Sequence, residues 1–495
     1  MPSNTTIIQQ PAYSPIPVGQ DIIYSVANHP ILATQERVKF VAKVWISTLS
    51  ININTDTPIG TFKTTPNNRG VGIFNFRQLT ESYVKADNLA AKNSQYKTTF
   101  VAPEARDVPI HNIDKFSINT NLVQNFLVQF SVEYLGATDC AGSQDDDVVR
   151  ISCGSESNAA DQRLYIMNGY IKHSDRLSWG AAPNVSGFGF KMNEFYLTTD
   201  EDSALTNMPT TLYADPTDYG TLALWVRNTD DFAKMKLQYK QHNNATLNIE
   251  YVTKESANGA YTNLSGIATK QVLFFGCFPA NLRGWSSVFQ DLVTTSSATN
   301  VRCGSIEVTA LNGHDTAISK TYTIKLNNPD LKGYEPIRLA WLNQWGAWDY
   351  FTFNMKSVRK ITTKGSTYEP LAGTWNSNLY LPHGYTGGTR TFRVNATEKI
   401  TINTDVLSKQ EPYKGNSAVM RDNDYTATFE ELMNSPEVYK IEGYQTDGDL
   451  DIISLYATPV RMLTSNFTKK SSANDSIVQY TFEIEIAKQL RTQSV

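Results

Sequence analysis

The chain has 495 residues, with 44 Lys and Arg against 48 Asp and Glu, and a formal net charge of −4. That length predicts two to four domains at about 100–200 residues each, and the charge balance argues against a broad basic surface, so no nucleic-acid partner is expected. Aromatics at 11% exclude a disordered chain, and a surface finished in Asn, Thr and Ser instead of Lys and Glu leans towards strands.

Residues 1–10 carry neither the basic nor the apolar stretch of a signal peptide, so release into a cytosol is expected. The longest apolar runs, such as residues 272–275, fall far short of the ~20 residues that cross a bilayer as a helix, so no membrane span is expected. Pro11, Pro15 and Pro17 mark an extended arm; residues 7–20 read either as an inter-subunit strap or as a frayed terminus. Val38, Phe40, Ala42, Val44 and Ile46 alternate as one face of a strand. After a Pro/Asn/Gly-rich loop at 64–72, Asn75 and Gln78 have N-cap spacing, and Phe76, Leu79 and Tyr83 predict a short helix. Phe126, Val128, Phe130, Val132 and Tyr134 give a second alternating strand, followed by a long polar loop at 136–161.

Leu222, Leu224 and Val226 resume the alternation. Ala233, Met235, Leu237 and Tyr239 follow, with Lys234, Lys236, Gln238 and Lys240 on the other face; a turn at 241–244 leads to Ala245, Leu247, Ile249 and Tyr251. This predicts an antiparallel hairpin with one wet face, and strands recurring at short spacing through Leu326. From about 333, residues 337–342 and 349–353 flank a turn at 343–346, a hairpin with unusually large side chains. A helix is expected around 425–434, with Phe429, Leu432 and Met433 on one face and Pro436 as its stop. Val478, Tyr480, Phe482, Ile484 and Ile486 end the chain as a strand with Glu483 and Glu485 outward. The expected fold is mainly β: several antiparallel sandwich or barrel-like domains with a few short helices. The expected domains are an N-terminal arm and β-domain at 1–135, a central β-sandwich region at 136–332 and a C-terminal β-domain at 333–495.

Reactive groups do not converge. There is no nucleophile elbow, Walker loop, HExxH or dinucleotide fingerprint. Gly384, Gly387 and Gly388 fit a hairpin turn, and His29, His111, His173, His242, His314 and His383 are scattered without ligand spacing. Asp447, Asp449 and Asp451 begin like a hard-cation loop, but Ile452 and Thr458 stand where an EF-hand needs Gly and Glu. Asp145, Asp146 and Asp147 are a candidate calcium loop; Asp200, Glu201 and Asp202, and Asp230 and Asp231, read as turn acids. The cysteines Cys140, Cys153, Cys277 and Cys303 form no CxxC pair; bridges 140–153 and 277–303 are open alternatives to free thiols. The five N-x-S/T triplets, at Asn184, Asn244, Asn263, Asn395 and Asn466, arise readily in so Asn/Thr/Ser-rich a chain. No enzyme activity, metal or cofactor is expected. Trp341, Trp345, Trp348, Tyr350, Phe351 and Phe353 are the strongest signal. In alternation on a hairpin they fill a core or a subunit interface, and Trp341, Trp345, Trp348, Tyr350 and Phe353 are the candidate interface residues.

The segment RLAWLNQWGAWDYFTF at 338–353 resembles a hairpin of virion structural proteins in tailed bacteriophages of Bacteroidetes hosts, crAss-like phages and their marine relatives. Residues 38–84, with GIFNFRQLTESYV at 72–84, resemble the same group, as does the stretch from FEELMNSPEVY at 429–439 to YTFEIEIA at 480–487. Together these cover about half the chain; residues 140–330 add only their β character. The resemblance implies a β-built subunit of the neck, tail or baseplate, in an oligomeric ring or sleeve. It would sit in the virion, assembled in the host cytoplasm, with other virion proteins and copies of itself as partners. The alternative is a host-recognition or glycan-binding module on the tail or the cell surface, in which the Trp-rich hairpin and the polar loops would be the ligand site.

Overall fold

The structure, a computed structural model, describes residues 5–11, 15–47, 51–53, 55–86, 116–119, 122–135, 150–152, 164–171, 197–226, 232–253, 271–294, 303–326, 334–371, 373, 378–379, 387–404, 407–408, 420–446, 453–466, 477–486 and 489–491. The fold is mainly β, with several separate sheets; the described residues include five helices and no closed barrel. Two compact units emerge. The first takes Met1–Leu326 with Leu342–Asp349 and Gln445–Ser454; the second takes Asn327–Trp341, Tyr350–Tyr444 and Leu455–Val495. The expected boundary at 136 is bridged within the first unit. Strand Leu164–Met167 pairs with Val123–Tyr134, and Phe116 belongs to the core of the 197–326 region.

The N-terminal part of the first unit is built on Lys39–Ser47 against Val123–Tyr134, in register from Lys39↔Glu133 to Ser47↔Asn125. Phe40, Ala42 and Val44 face the main core, as alternation predicts. Val41 is buried as well, and Trp45 packs with Ile51 and Leu127 on the opposite face, its indole N–H donating to the Asp56 carbonyl at 2.9 Å. A strand covered on both faces needs a near-continuous apolar run, and 40–46 supplies one broken only by Lys43. The Pro-rich arm is neither strap nor frayed end. Thr6–Gln9 pairs with Ile23–Ala27, Ile16–Pro17 pairs with Leu164–Met167, and Ile16 and Val18 enter the core. The helix after Asn75 spans only Arg77–Glu81. The Asn75 carboxamide oxygen accepts from Ile22 N and Arg77 N, Phe76 and Thr80 are buried, and Tyr83 lies exposed.

In the 197–326 region a five-stranded sheet runs in the order Thr211–Ala214, Tyr322–Leu326, Cys303–Leu311, Lys234–Gln241, Thr246–Thr253. The hairpin is in place, but the outer strand has the opposite facing from the one its sequence suggests. A bulge pairs Tyr239 with Asn248 and Lys240 with Thr246, skipping Leu247. That one-residue slip turns Ile249 and Tyr251 onto the lysine face, and puts Glu250 and Val252 on the core side. Glu250 is accommodated there because Tyr239 OH donates to its carboxylate at 2.7 Å and Ser286 Oγ at 2.5 Å. Tyr251 keeps a partner in Lys234, whose Nζ sits 4.6 Å from the ring centroid. Two helices that alternation does not reveal, Pro279–Trp285 and Ser287–Thr294, close the core through Leu282 and Phe289. Cys277 and Cys303 are free and buried, and burial pushes the Cys303 thiol up to about 11.

An eight-stranded sheet, most of whose residues belong to the second unit, runs in the order Trp348–Phe353, Ile337–Leu342, Val438–Thr446, Ile453–Met462, Thr481–Ile486, Arg390–Asn403, Val358–Tyr368, with Gln489–Arg491 also on Arg390–Asn403. The expected helix runs Asp422–Asn434. It buries Phe429 and Leu432 as predicted, whereas Met433 is only half-buried, and Thr428 and Glu431 go inside. Phe429 meets Phe351, Phe482 and Tyr480 at centroid distances of 5.1, 5.5 and 5.8 Å.

Two measurements follow from these buried groups. Burial raises the Tyr322 hydroxyl to about 12 and drives those of Tyr24 and Tyr239 higher still. The folded state therefore disfavours the phenolates, and stability intact below the ordinary tyrosine range near pH 10 should fall above it, by about 1.4 kcal/mol per pH unit for Tyr322 alone until its folded-state value is passed. Tyrosinate absorbance at 295 nm should include a component that rises together with loss of the far-UV signal; complete tyrosine ionisation in a still-folded chain would contradict this. Peptide mapping after iodoacetamide at neutral pH should find Cys277 and Cys303 unlabelled until denaturant is added; prompt labelling of either in the native chain would contradict their burial.

Candidate functional site

The aromatic hairpin is where sequence placed an interface, and it lies inside the chain. Trp341, Trp345, Trp348, Tyr350 and Phe353 are each at most 4% exposed in a single copy. They are core of the single chain. The reason is visible at the hairpin tip, which falls in the first unit. The Asn343 carboxamide oxygen accepts from Trp345 N at 3.0 Å and Ala347 N at 3.1 Å, while its Nδ2 donates to the Leu205 carbonyl at 2.9 Å. Trp345 Nε1 donates to Asn207 Oδ1 at 3.2 Å, and Thr206 Oγ1 donates to Asp349 at 2.5 Å. Tyr170 N donates to the Gln344 carbonyl at 2.8 Å. Gly346 sits at φ 72°, and a Cβ there would collide with the Asn168 carbonyl oxygen. The turn at 343–346 is thus clamped between 168–170 and 205–207. In the second unit the aromatics past the tip form a chain of rings: Phe351 to Phe353 at 4.9 Å and Phe353 to Phe482 at 5.8 Å.

The exposed counterpart is a β ribbon in the second unit. Val358–Tyr368 pairs antiparallel with Arg390–Asn403 from Val358↔Thr401 to Tyr368↔Arg390, and forms the free edge of the eight-stranded sheet. All 11 residues of this edge strand are exposed, over roughly 36 Å at about 3.3 Å per residue. Strand-forming residues explain why it holds its shape: Val358, Ile361, Thr362, Thr363 and Thr367 are β-branched. Register sorts its faces. Lys360, Thr362, Lys364 and Ser366 lie opposite Lys399, Thr397, Asn395 and Arg393; Arg359, Ile361 and Thr363 lie opposite Ile400, Glu398 and Ala396. Ile361 is 58% exposed, and near the far end Tyr368 and Phe392 meet edge to face at 6.1 Å, 44% and 56% exposed. Phe392 is the residue a bulge between Ser366 and Thr367 leaves unpaired. Alternation in 358–368 is weak because neither face is buried, which is why sequence reading passed over it.

The other sequence candidates do not assemble into a site. Asp202 is a turn acid: its carboxylate accepts from Thr198 N, Thr198 Oγ1 and Thr199 N at 2.7–2.8 Å. His29, His242 and His314 are exposed and separate. Gly388 has φ 82°, in keeping with a turn. Asp145 to Asp147, Asp230, Asp231, Asp447, Asp449, Asp451, Cys140, Cys153, His111, His173, His383 and Gly384 lie outside the described residues. Among the described residues no group of three metal-ligating side chains converges, and no helix is long and apolar enough to cross a membrane. No protein-family model and no curated protein matches the chain.

If the hairpin tip is a clamped core element, Gly346→Ala should be strongly destabilising, because it combines backbone strain with a main-chain clash, and Asn343→Ala should cost about 2–4 kcal/mol by orphaning two buried amides. Trp341→Ala should cost about 3–5 kcal/mol as a large-to-small core change. Denaturant midpoints check all three; a loss below about 0.5 kcal/mol, the level of an ordinary surface substitution, would put these residues on a surface instead.

Proposed function

We propose that this chain is a structural subunit of a tailed-phage virion, forming part of an oligomeric ring or sleeve in the neck, tail or baseplate. The observation that carries the reading is the ribbon: an exposed edge strand of 11 residues with Ile361, Tyr368 and Phe392 open to solvent. A long exposed edge invites contact with another chain, and proteins normally cover one or blunt it with charge, Lys above all. Arg359, Lys360 and Lys364 guard this edge against strand addition, and the exposed Ile361, Tyr368 and Phe392 beside them are left for a neighbouring subunit to cover. The resemblance of 38–84, 338–353 and 429–487 to phage virion proteins supports the same reading, and gives it its particle. The two-unit β body, closed around rings and clamped turns, suits a component that bears load and makes contacts on its outside. Burial of Trp345 and Trp348 takes the Trp-rich hairpin away from the glycan-binding alternative as a stacking platform.

Purified at micromolar concentration, the full chain should be oligomeric by native mass spectrometry, or enter an oligomer when mixed with the proteins of its particle. Antibody against the chain should label one fixed region of intact virions. A strict monomer that labels no particle would overturn the reading.

A further inference from the structure

The ribbon has a polarity of charge as well as an open edge. Residues 356–403 hold seven Lys and Arg (Lys356, Arg359, Lys360, Lys364, Arg390, Arg393, Lys399) against Glu369 and Glu398, a net +5; with the whole chain at −4, the remainder stands at −9. Register gathers part of this charge on one side. Lys360 lies directly opposite Lys399, and Lys364 and Arg393 share their face. Like charges paired across a strand destabilise it. The opposite face pairs its own charge: Arg359 binds Glu335 at 2.6 Å and approaches Glu398 at 3.6 Å. On the basic face Lys399 lies opposite Glu485, which pairs with Arg461, and has Glu483 at 3.9 Å, while Lys360, Lys364 and Arg393 have no ion-pair partner among the described residues.

We propose that this basic face of the ribbon seats on the acidic body of a neighbouring copy of the same chain. The inference deepens the assembly reading above and rests on it: that reading says the ribbon is covered, and this one says by what. Two features choose protein over nucleic acid. Tyr368, on the same side of its strand as Lys360 and Lys364, and the bulged Phe392 border the basic face with exposed apolar surface, for which a phosphate backbone has no counterpart. The acidic complement is already in the same molecule, in the residues outside 356–403. A contact between two different surfaces of identical subunits is heterologous, and it closes into a ring when the rotation between copies permits. Its charge content makes it sensitive to ionic strength, since exposed pairs weaken as the Debye length shortens from about 14 Å to about 4 Å between roughly 50 and 500 mM salt.

The test compares the full-length chain with the triple variant Lys360→Glu, Lys364→Glu, Arg393→Glu, and with Phe392→Ser, by light scattering at both salt concentrations. Thermal unfolding of each serves as the control for folding, and is expected to be nearly unchanged because the side chains are exposed. The parent should associate at low salt and loosen at high salt. The triple variant should associate roughly tenfold more weakly or not at all, and Phe392→Ser should weaken association at both salts. Carbodiimide cross-linking of mixed 14N and 15N chains should join Lys360 or Lys364 of one copy to an Asp or Glu outside 356–403 of another. An oligomer unaffected by the triple reversal overturns this inference and leaves the assembly reading standing; a strictly monomeric parent with no particle association overturns both. A labelled DNA duplex bound by the parent and lost in the triple variant, with association of copies unchanged, would assign the face to nucleic acid instead.

Discussion

The geometry of the aromatic hairpin depends on one buried carboxamide. Asn343 takes the N–H groups of Trp345 and Ala347 into its side-chain oxygen, and sends its own N–H across to the Leu205 carbonyl, 138 residues earlier in the chain. Each of these groups is cut off from water, and a buried amide left unpaired costs about 1–3 kcal/mol, so the turn has one low-energy arrangement. With the turn fixed, Trp345 and Trp348 have nowhere to point but inward. Gly346 makes the arrangement sterically possible, since its positive φ and its closeness to Asn168 both exclude a side chain.

That constraint divides the molecule's aromatic surface into two populations with different jobs. The tryptophans and the Phe351, Phe353, Phe429 and Phe482 rings are interior, and each contributes the ~1.5–3 kcal/mol expected of a large buried side chain. Tyr368, Phe392 and Ile361 are on the ribbon, and contribute nothing comparable to a single copy. A contact that would recover their burial must come from outside. Charge follows the same division, with Lys360, Lys364 and Arg393 on the ribbon's open face lacking an ion-pair partner among the described residues, and net negative charge in the rest of the chain.

Much of this was legible in sequence wherever a strand has one dry face. Phe40, Ala42 and Val44, then Phe126, Val128, Phe130 and Val132, then Met235, Leu237 and Tyr239, and Phe429 and Leu432 on the helix all have the burial that their spacing predicts. Alternation fails where a second influence competes with it. A bulge at Leu247 inverts the outer strand of its hairpin, and only hydrogen bonding to Glu250 reveals that a carboxylate belongs on the core side. The helices at Pro279–Trp285 and Ser287–Thr294 are too short for a 3.6-residue period to establish itself; Pro279 at the first turn was the available signal. The ribbon's edge strand, 358–368, has no buried face, so hydrophobic patterning cannot mark it. The aromatic cluster was the loudest feature of the sequence, and pointed to packing correctly but to the wrong partner, because side-chain size reports burial and not whether the covering atoms belong to the same copy.

The order of synthesis gives the hairpin tip a further consequence. Residues 342–349 belong to a unit whose other main segment ends at Leu326, so the ribosome has released nearly all of that unit before the piece that plugs it emerges. Nascent chains would wait in a nearly finished state, with the acceptors at Leu205 and Asn207 and the Tyr170 N–H donor facing an empty slot. A fragment cut at 326 would carry that slot permanently, making the apparent linker between the units a poor place to divide the protein.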